Sequence, residues 1–334
     1  MFARAVAGAN LRRFADAIGR RTMRAICYFF VGLAMLQARG ATAADLDSSK
    51  KFWLDSAFFC KSDAGEFPSK VGEKSDTCDD GDMTLFNGLL CLSGQTIGCE
   101  AVRKSQGSDG HWWRSPRRIG WEAPVHDVSF SPDQALGVFA YLIKTRDASA
   151  LDKWAAWIMD RRPCVVGGGS NCIRGWPRYC TDDQTDKRCT FRPADCAWFA
   201  AVAKYLDRSA SVCPGVLSVE TFVAGSVTLN GPGFPLHLAA VQLYLIKSLG
   251  IHNDNVRLAE ETFKMRGEPK NAFFAYLREG NTDRVANLTL DVCPSSERPS
   301  RRRFQWAWER TDREQAWLDS MYWDCIFMAS LLGR

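Results

Sequence analysis

Twelve cysteines lie beyond residue 43 of this chain, and their even number and close spacing constrain its folding more than any other feature. They are Cys60, Cys78, Cys91, Cys99, Cys164, Cys172, Cys180, Cys189, Cys196, Cys213, Cys293 and Cys325. An even set suits complete oxidation, which belongs to exported proteins whose loops are stapled by disulfides. The separations of 8, 8 and 9 residues from Cys164 through Cys189 fit no C-x-x-C ligand pair, so a zinc site is not expected. Near neighbours pair most easily: Cys91 with Cys99, Cys164 with Cys172, and Cys180 with Cys189. A loop closed by Cys60 and Cys78 is expected as well. With every thiol oxidised, cysteine is excluded as a nucleophile.

The thirteenth, Cys27, falls in a different setting. Residues 1–43 carry seven arginines against one acid, Asp16, then an apolar stretch over residues 25–36 and the small-x-small sequence Ala41-Thr42-Ala43. That order describes a signal peptide over 1–43 and a periplasmic or secreted mature chain. Twelve apolar residues fall short of the roughly 20 that span a bilayer as a helix, so no stable membrane span is expected after removal. Most of the formal charge of +5 resides in the leader. The remainder is near neutral, and no nucleic-acid partner is expected.

Apolar periodicity from residue 44 onward predicts one domain of eight or nine helices. Leu85, Phe86, Leu89 and Leu90 mark a helix over 83–91, with Asp82 at its start and Ser93-Gly94 at its end. Ser131-Pro132-Asp133-Gln134 opens another, with Leu136, Phe139, Leu142 and Ile143 as its stripe. Leu151, Trp154, Ala155 and Ile158 give its antiparallel neighbour. Further helices are expected over 193–207, 235–249, 256–264, 270–278 and 314–332. Residues 45–80 read as a short helix and a loop, and 161–193 as a Cys- and Gly-rich surface loop. Helical hairpins without a fixed repeat make the fold class all-α, and an (α/α) toroid collects the long aromatic loops on one rim.

Chemistry is narrowed by elimination. The chain has no G-x-S-x-G elbow, no phosphate-binding G-x-x-x-x-G-K loop and no H-E-x-x-H helix. Its four histidines are scattered, with His237 on an apolar helix face, so neither a metal nor a cofactor is expected. Carboxylates remain. Asp82 and Asp133 begin helices, where capping alone explains them at about 1 kcal/mol each. The loop over 107–130 adds Trp112, Trp113, Trp121, Arg114, Arg117, Arg118, His126 and Asp127. Its tryptophans suit sugar faces, and its cations and His126 suit hydroxyls or acidic groups. Near the C-terminus Glu309 and Asp324 lie among tryptophans, where an unpaired carboxylate is costly. Trp323 suits core packing.

The blocks Gly81-Asp82-Met83-Thr84-Leu85-Phe86-Asn87-Gly88-Leu89-Leu90, Asp109-Gly110-His111-Trp112-Trp113-Arg114-Ser115-Pro116 and Phe130-Ser131-Pro132-Asp133-Gln134 with Gly137 resemble the helix-entry motifs of six-hairpin (α/α) toroid glycosidases and related polysaccharide lyases. The resemblance covers about 60 residues and implies that Asp133 faces a sugar groove. Together these features describe an exported enzyme that cleaves a polysaccharide or glycoconjugate by carboxylate acid/base chemistry. Glycoside hydrolysis is the leading reaction, and a lyase the sibling. The catalytic candidates are Asp82 and Asp133, with Asp127 and Glu309 in reserve; Trp112, Trp113, Trp121, Arg114 and His126 are the substrate-binding candidates. The rival class is a non-catalytic glycan-binding or envelope-assembly protein on the same scaffold.

Overall fold

The computed structural model describes Ala43–Arg334, apart from residues 123–124, 181–186, 210, 214–216, 267 and 311–314. The leader read at 1–43 lies outside the described residues, save Ala43, which opens the first helix. The described chain is mostly helical, with twelve α-helices and three two-stranded antiparallel hairpins. No described helix is long and apolar enough to cross a membrane.

Helix α1 (Ala43–Ser56) leads into hairpin β1 (Phe59–Ser62) with β2 (Gly65–Pro68), then β3 (Lys70–Gly72) with β4 (Ser75–Asp79). A loop was expected here. Alternation over these short strands is too brief to read against their polar composition, and the Cys60–Cys78 disulfide ties the two hairpins together. Next come α2 (Met83–Leu92), α3 (Thr96–Lys104), α4 (Pro132–Thr145) and α5 (Ala148–Asp160). The Cys-rich loop holds the third hairpin, β5 (Cys164–Val166) with β6 (Ile173–Arg174). Helices α6 (Pro193–Tyr205), α7 (Val219–Leu229), α8 (Phe234–Ser248), α9 (Asp254–Arg266), α10 (Ala272–Glu279) and α11 (Asp283–Val292) follow, and α12 (Trp323–Leu331) closes the chain.

All twelve cysteines are paired, as Cys60–Cys78, Cys91–Cys99, Cys164–Cys172, Cys180–Cys189, Cys196–Cys213 and Cys293–Cys325. Six disulfides belong to an oxidising environment. The main apolar core is filled by side chains as large as Trp53, Trp112, Trp154, Trp198, Trp306 and Trp323, and Cys60, Phe67 and Ala101 form a small second cluster.

The expected helix over 314–332 is a correction. Only its last part is α-helical, preceded by a 3-10 turn at Ala316–Leu318. Ser320 accepts from the Tyr322 amide and donates to Asp324, while Asp324 accepts from the Ala307 amide. These bonds draw residues 319–321 against the segment at Gln305, and Tyr322, at φ 67°, turns the chain into α12.

One contact sets the geometry of the site. Helices α2 and α4 touch through Gly88 and Gly137: a Cβ on Gly88 would stand 2.1 Å from the Gly137 carbonyl oxygen, and one on Gly137 would stand 2.1 Å from that of Thr84. Only glycine allows two backbones to approach so closely. Gln134 then bridges the helix starts, accepting from the Leu85 amide at 3.3 Å and donating to Asp82 at 3.4 Å. Asp82 and Asp133, at the starts of α2 and α4, are thereby brought to one end of the helix pair.

Candidate active site

Asp82 stands at the N-cap of α2 but makes no side-chain cap hydrogen bond. Its carboxylate faces three other groups. Lys70 Nζ lies 3.4 Å from one oxygen, and Arg114 Nη1 and Gln134 Nε2 each lie 3.4 Å from the other. Both cations are largely covered, at 13% side-chain exposure, whereas the Asp82 side chain is 47% exposed. Burial alone would push the Lys70 ammonium down, but Asp82, Asp79 and Glu309 outweigh it and hold its pKa above the ordinary value.

Asp133 is the second residue of α4, after Pro132, and makes no hydrogen bond with another described side chain. Desolvation pushes its carboxyl up; Arg192 and Arg114 oppose this, and Asp82 adds to it. Glu309 ends the 3-10 turn Ala307–Glu309, which packs against α8. Gln305 Nε2 donates to it at 3.2 Å. Its pKa is pushed up to about 7, first by burial and then by the Asp82 charge, with Lys70 and Arg310 opposing and Asp133 adding a further rise. Asp82, Asp133 and Glu309 thus belong to one electrostatic cluster, although they are far apart in sequence.

Asp195 had no visible signal beyond a polar position at the start of α6. It completes a capping box, accepting from the Arg192 amide at 2.6 Å. Desolvation first, and Asp133 further, push its carboxyl up to about 6 against the Arg192 contacts. Asp133 and Asp195 line one cleft of about 280 Å³. Lys70 was also missed, because a lone lysine in a three-residue strand carries no pattern.

One expected substrate contact is corrected. Trp112 is fully buried, edge-on to Tyr141 and Trp154, and is a core residue rather than a groove wall. Trp113 is partly buried against His111. The Arg114 guanidinium is engaged by the Gly81 carbonyl, Asp82 and Ser129, so it orients Asp82. Arg117 and Arg118 clamp the fully buried Asp80 at 2.7 and 3.1 Å, and Ser115 donates to it at 2.5 Å. Burial opposes the Asp80 charge, but the Arg117 and Ser115 hydrogen bonds and the charge of Arg118 hold its pKa below the ordinary value.

Trp121 lies under both of these guanidiniums and stacks on the exposed His126, with ring centroids 4.2 Å apart. Asp127 accepts from the Ser129 amide and pairs with Arg188 at 3.5 Å. Burial works against its charge, yet those Ser129 bonds and the nearby cations lower its pKa, which suits a loop clamp rather than a proton donor. Asp324, fully buried, holds the Ala307 amide and Ser320 and so positions the turn carrying Glu309. Trp323 is fully buried. Among the described residues no three His, Cys, Asp or Glu side chains converge closely enough to hold a metal ion.

No family model, no curated protein and no solved structure matches this chain.

Proposed function

We propose that this protein is an exported carbohydrate-active enzyme, a glycoside hydrolase on an (α/α) toroid-like scaffold, acting on a polysaccharide or glycoconjugate in the periplasm or outside the cell. One observation carries the reading: Glu309, holding its proton up to about pH 7, shares a charge cluster with Asp82, whose carboxylate is bracketed by Lys70 and Arg114. Two carboxyl groups with environments this different are what acid/base cleavage of a glycosidic bond needs.

In this mechanism Glu309 gives its proton to the leaving glycosidic oxygen as the bond to the anomeric carbon breaks. Water attacks that carbon and passes a proton to Asp82, and a hemiacetal forms. Asp133 and Asp195 face the adjoining cleft. A uronate lyase fits less well, because Arg117 and Arg118 are engaged by Asp80 and leave fewer cations for a sugar carboxylate.

The ion pairs of Asp82 with Lys70 and Arg114 favour a second reading, in which Asp82 is structural and the protein only binds glycan. Incubating the purified mature protein with cell-wall, capsular and uronic-acid glycans separates the two. The enzyme reading expects reducing ends, lost in Glu309→Gln and Asp82→Asn while glycan binding persists. Binding without product from the wild type supports the second reading, and neither binding nor product across the panel overturns both.

A further inference from the structure

The cleft beside Asp133 has a mixed wall. Leu136, Trp198 and Leu238 make part of it apolar, and Ser226, Asn230 and Gln242 supply uncharged polar groups. Those three are already oriented. Trp198 Nε1 donates to Gln242 Oε1 at 3.4 Å, which leaves the Gln242 amide nitrogen to donate to Ser226 Oγ at 3.3 Å. Asn230 Nδ2 donates to the same oxygen at 2.9 Å. Because Ser226 Oγ receives two hydrogen bonds, its own proton is directed elsewhere. Among the described residues, neither that proton nor Asn230 Oδ1 has a partner. The cleft therefore offers the Ser226 hydroxyl proton and the Asn230 carbonyl oxygen side by side, both uncharged, next to an apolar surface.

This pattern selects among sugars. A secondary amide carries one acceptor, one donor and, when acetylated, a methyl group. A sugar carboxylate in the same place would meet Asp133 and Asp195, with Arg192 as the one cation on the wall. We propose that this cleft is the subsite for a 2-acetamido sugar, whose amide meets Ser226 and Asn230 and whose methyl group meets Leu136 and Leu238. The inference rests on the glycan-cleaving reading and adds its substrate class. A part-buried polar set of this kind discriminates between sugars, since an analogue lacking the amide leaves Ser226 and Asn230 covered and unpaired.

The test is calorimetric titration of the full mature protein with three probes: a trimer of N-acetylglucosamine, a trimer of glucosamine and a trimer of galacturonic acid. The acetylated trimer is expected to bind at least about tenfold more tightly than either of the others, a difference of one good hydrogen bond. Ser226→Ala and Asn230→Ala are each expected to weaken it by about tenfold, with unchanged far-ultraviolet circular dichroism. Leu238→Trp, which fills the cleft and leaves the polar groups in place, should abolish binding and guards against misreading an unfolded variant.

Equal or tighter binding of the glucosamine or galacturonate trimer, no binding of the acetylated trimer, or indifference to Ser226→Ala overturns the subsite. The parent reading fails separately. Glu309-dependent cleavage of some other glycan keeps the enzyme and discards this subsite, whereas acetamido binding sensitive to Ser226→Ala without cleavage of any glycan keeps the subsite and discards the enzyme.

Discussion

A carboxylate at the start of a helix ordinarily accepts from the exposed amides of the first turn. Asp82 sits at that position and instead faces Lys70, Arg114 and Gln134. Capping thus does not explain it, and its charge is held by groups that leave it accessible. Glu309 lies on the other side of the same balance, since burial and the Asp82 charge favour its neutral form. As a group with a raised pKa, Glu309 is protonated below about pH 7 and loses its proton as pH rises through that value. Activity is accordingly expected to fall across an alkaline limb near pH 7. Glu309→Gln should remove that limb and lower kcat by roughly 10²–10⁴-fold, the usual worth of a positioned acid; a limb unchanged in the variant assigns the proton to another group. Lys70 holds the Glu309 pKa down, so Lys70→Met should move the limb to higher pH, read from kcat/KM profiles. Asp82, Asp133 and Glu309 could be singled out in the sequence because two stand at clear helix starts beside an aromatic loop and the third lies among tryptophans. Lys70, Asp80 and Asp195 were not, because their meaning comes from partners that only the fold supplies.

At the scale of elements, everything turns on how closely α2 and α4 approach. The Gly88 and Gly137 contacts are backbone to backbone, so an added methyl group cannot be accommodated by a rotamer change. Gly137→Ala is expected to destabilise the protein by about 3 kcal/mol or more, measured by denaturant unfolding, which is the upper range of overpacking costs. It should also separate the two helix starts and weaken the Asp82–Asp133 coupling that helps to raise the Asp133 pKa. Gly225 in α7 is the internal control. A Cβ there meets nothing within 4 Å, and Gly225→Ala should be neutral or stabilising by up to about 1 kcal/mol. If Gly137→Ala proves as mild as Gly225→Ala, the close crossing is wrong. Helix starts such as Ser131-Pro132 were legible because caps and apolar stripes are local signals. The three hairpins, together with α3, α7 and α11, were not, because their stripes are short or weak and disulfides or neighbouring helices complete them. Cys91–Cys99, for example, pins α3 to α2 where the α3 sequence carries few apolar residues.

Across the whole molecule, buried ionisable groups make stability depend on pH in a direction that can be worked out. Burial raises Asp195 and Asp324 to about 6, and Glu309 to about 7. The folded state then keeps protons that the unfolded chain releases above about pH 4, so their contribution is complete below that value and is lost as pH rises through 6 to 7. His237 works the other way. It is fully buried beside Phe273, and desolvation lowers its pKa to about 3, so the unfolded chain binds the extra proton and stability falls as pH drops below about 6.5. Between about pH 4.5 and 6.5, the buried carboxyls of Asp195 and Asp324 and the partly exposed Glu309 oppose one histidine. Counting Glu309 only lightly because solvent screens it, the net loss on going from pH 4.5 to 7 is on the order of 3 kcal/mol. Thermal unfolding of the oxidised protein is therefore expected several degrees higher at pH 5 than at pH 7.5. Asp324→Asn retains an acceptor for the Ala307 amide but cannot titrate, so it should flatten that dependence, and His237→Phe should steepen it. A melting temperature that rises from pH 5 to 7.5 would mean that the buried acids keep their charges in the fold, and it would remove the physical basis for treating Glu309 as a proton donor near neutrality.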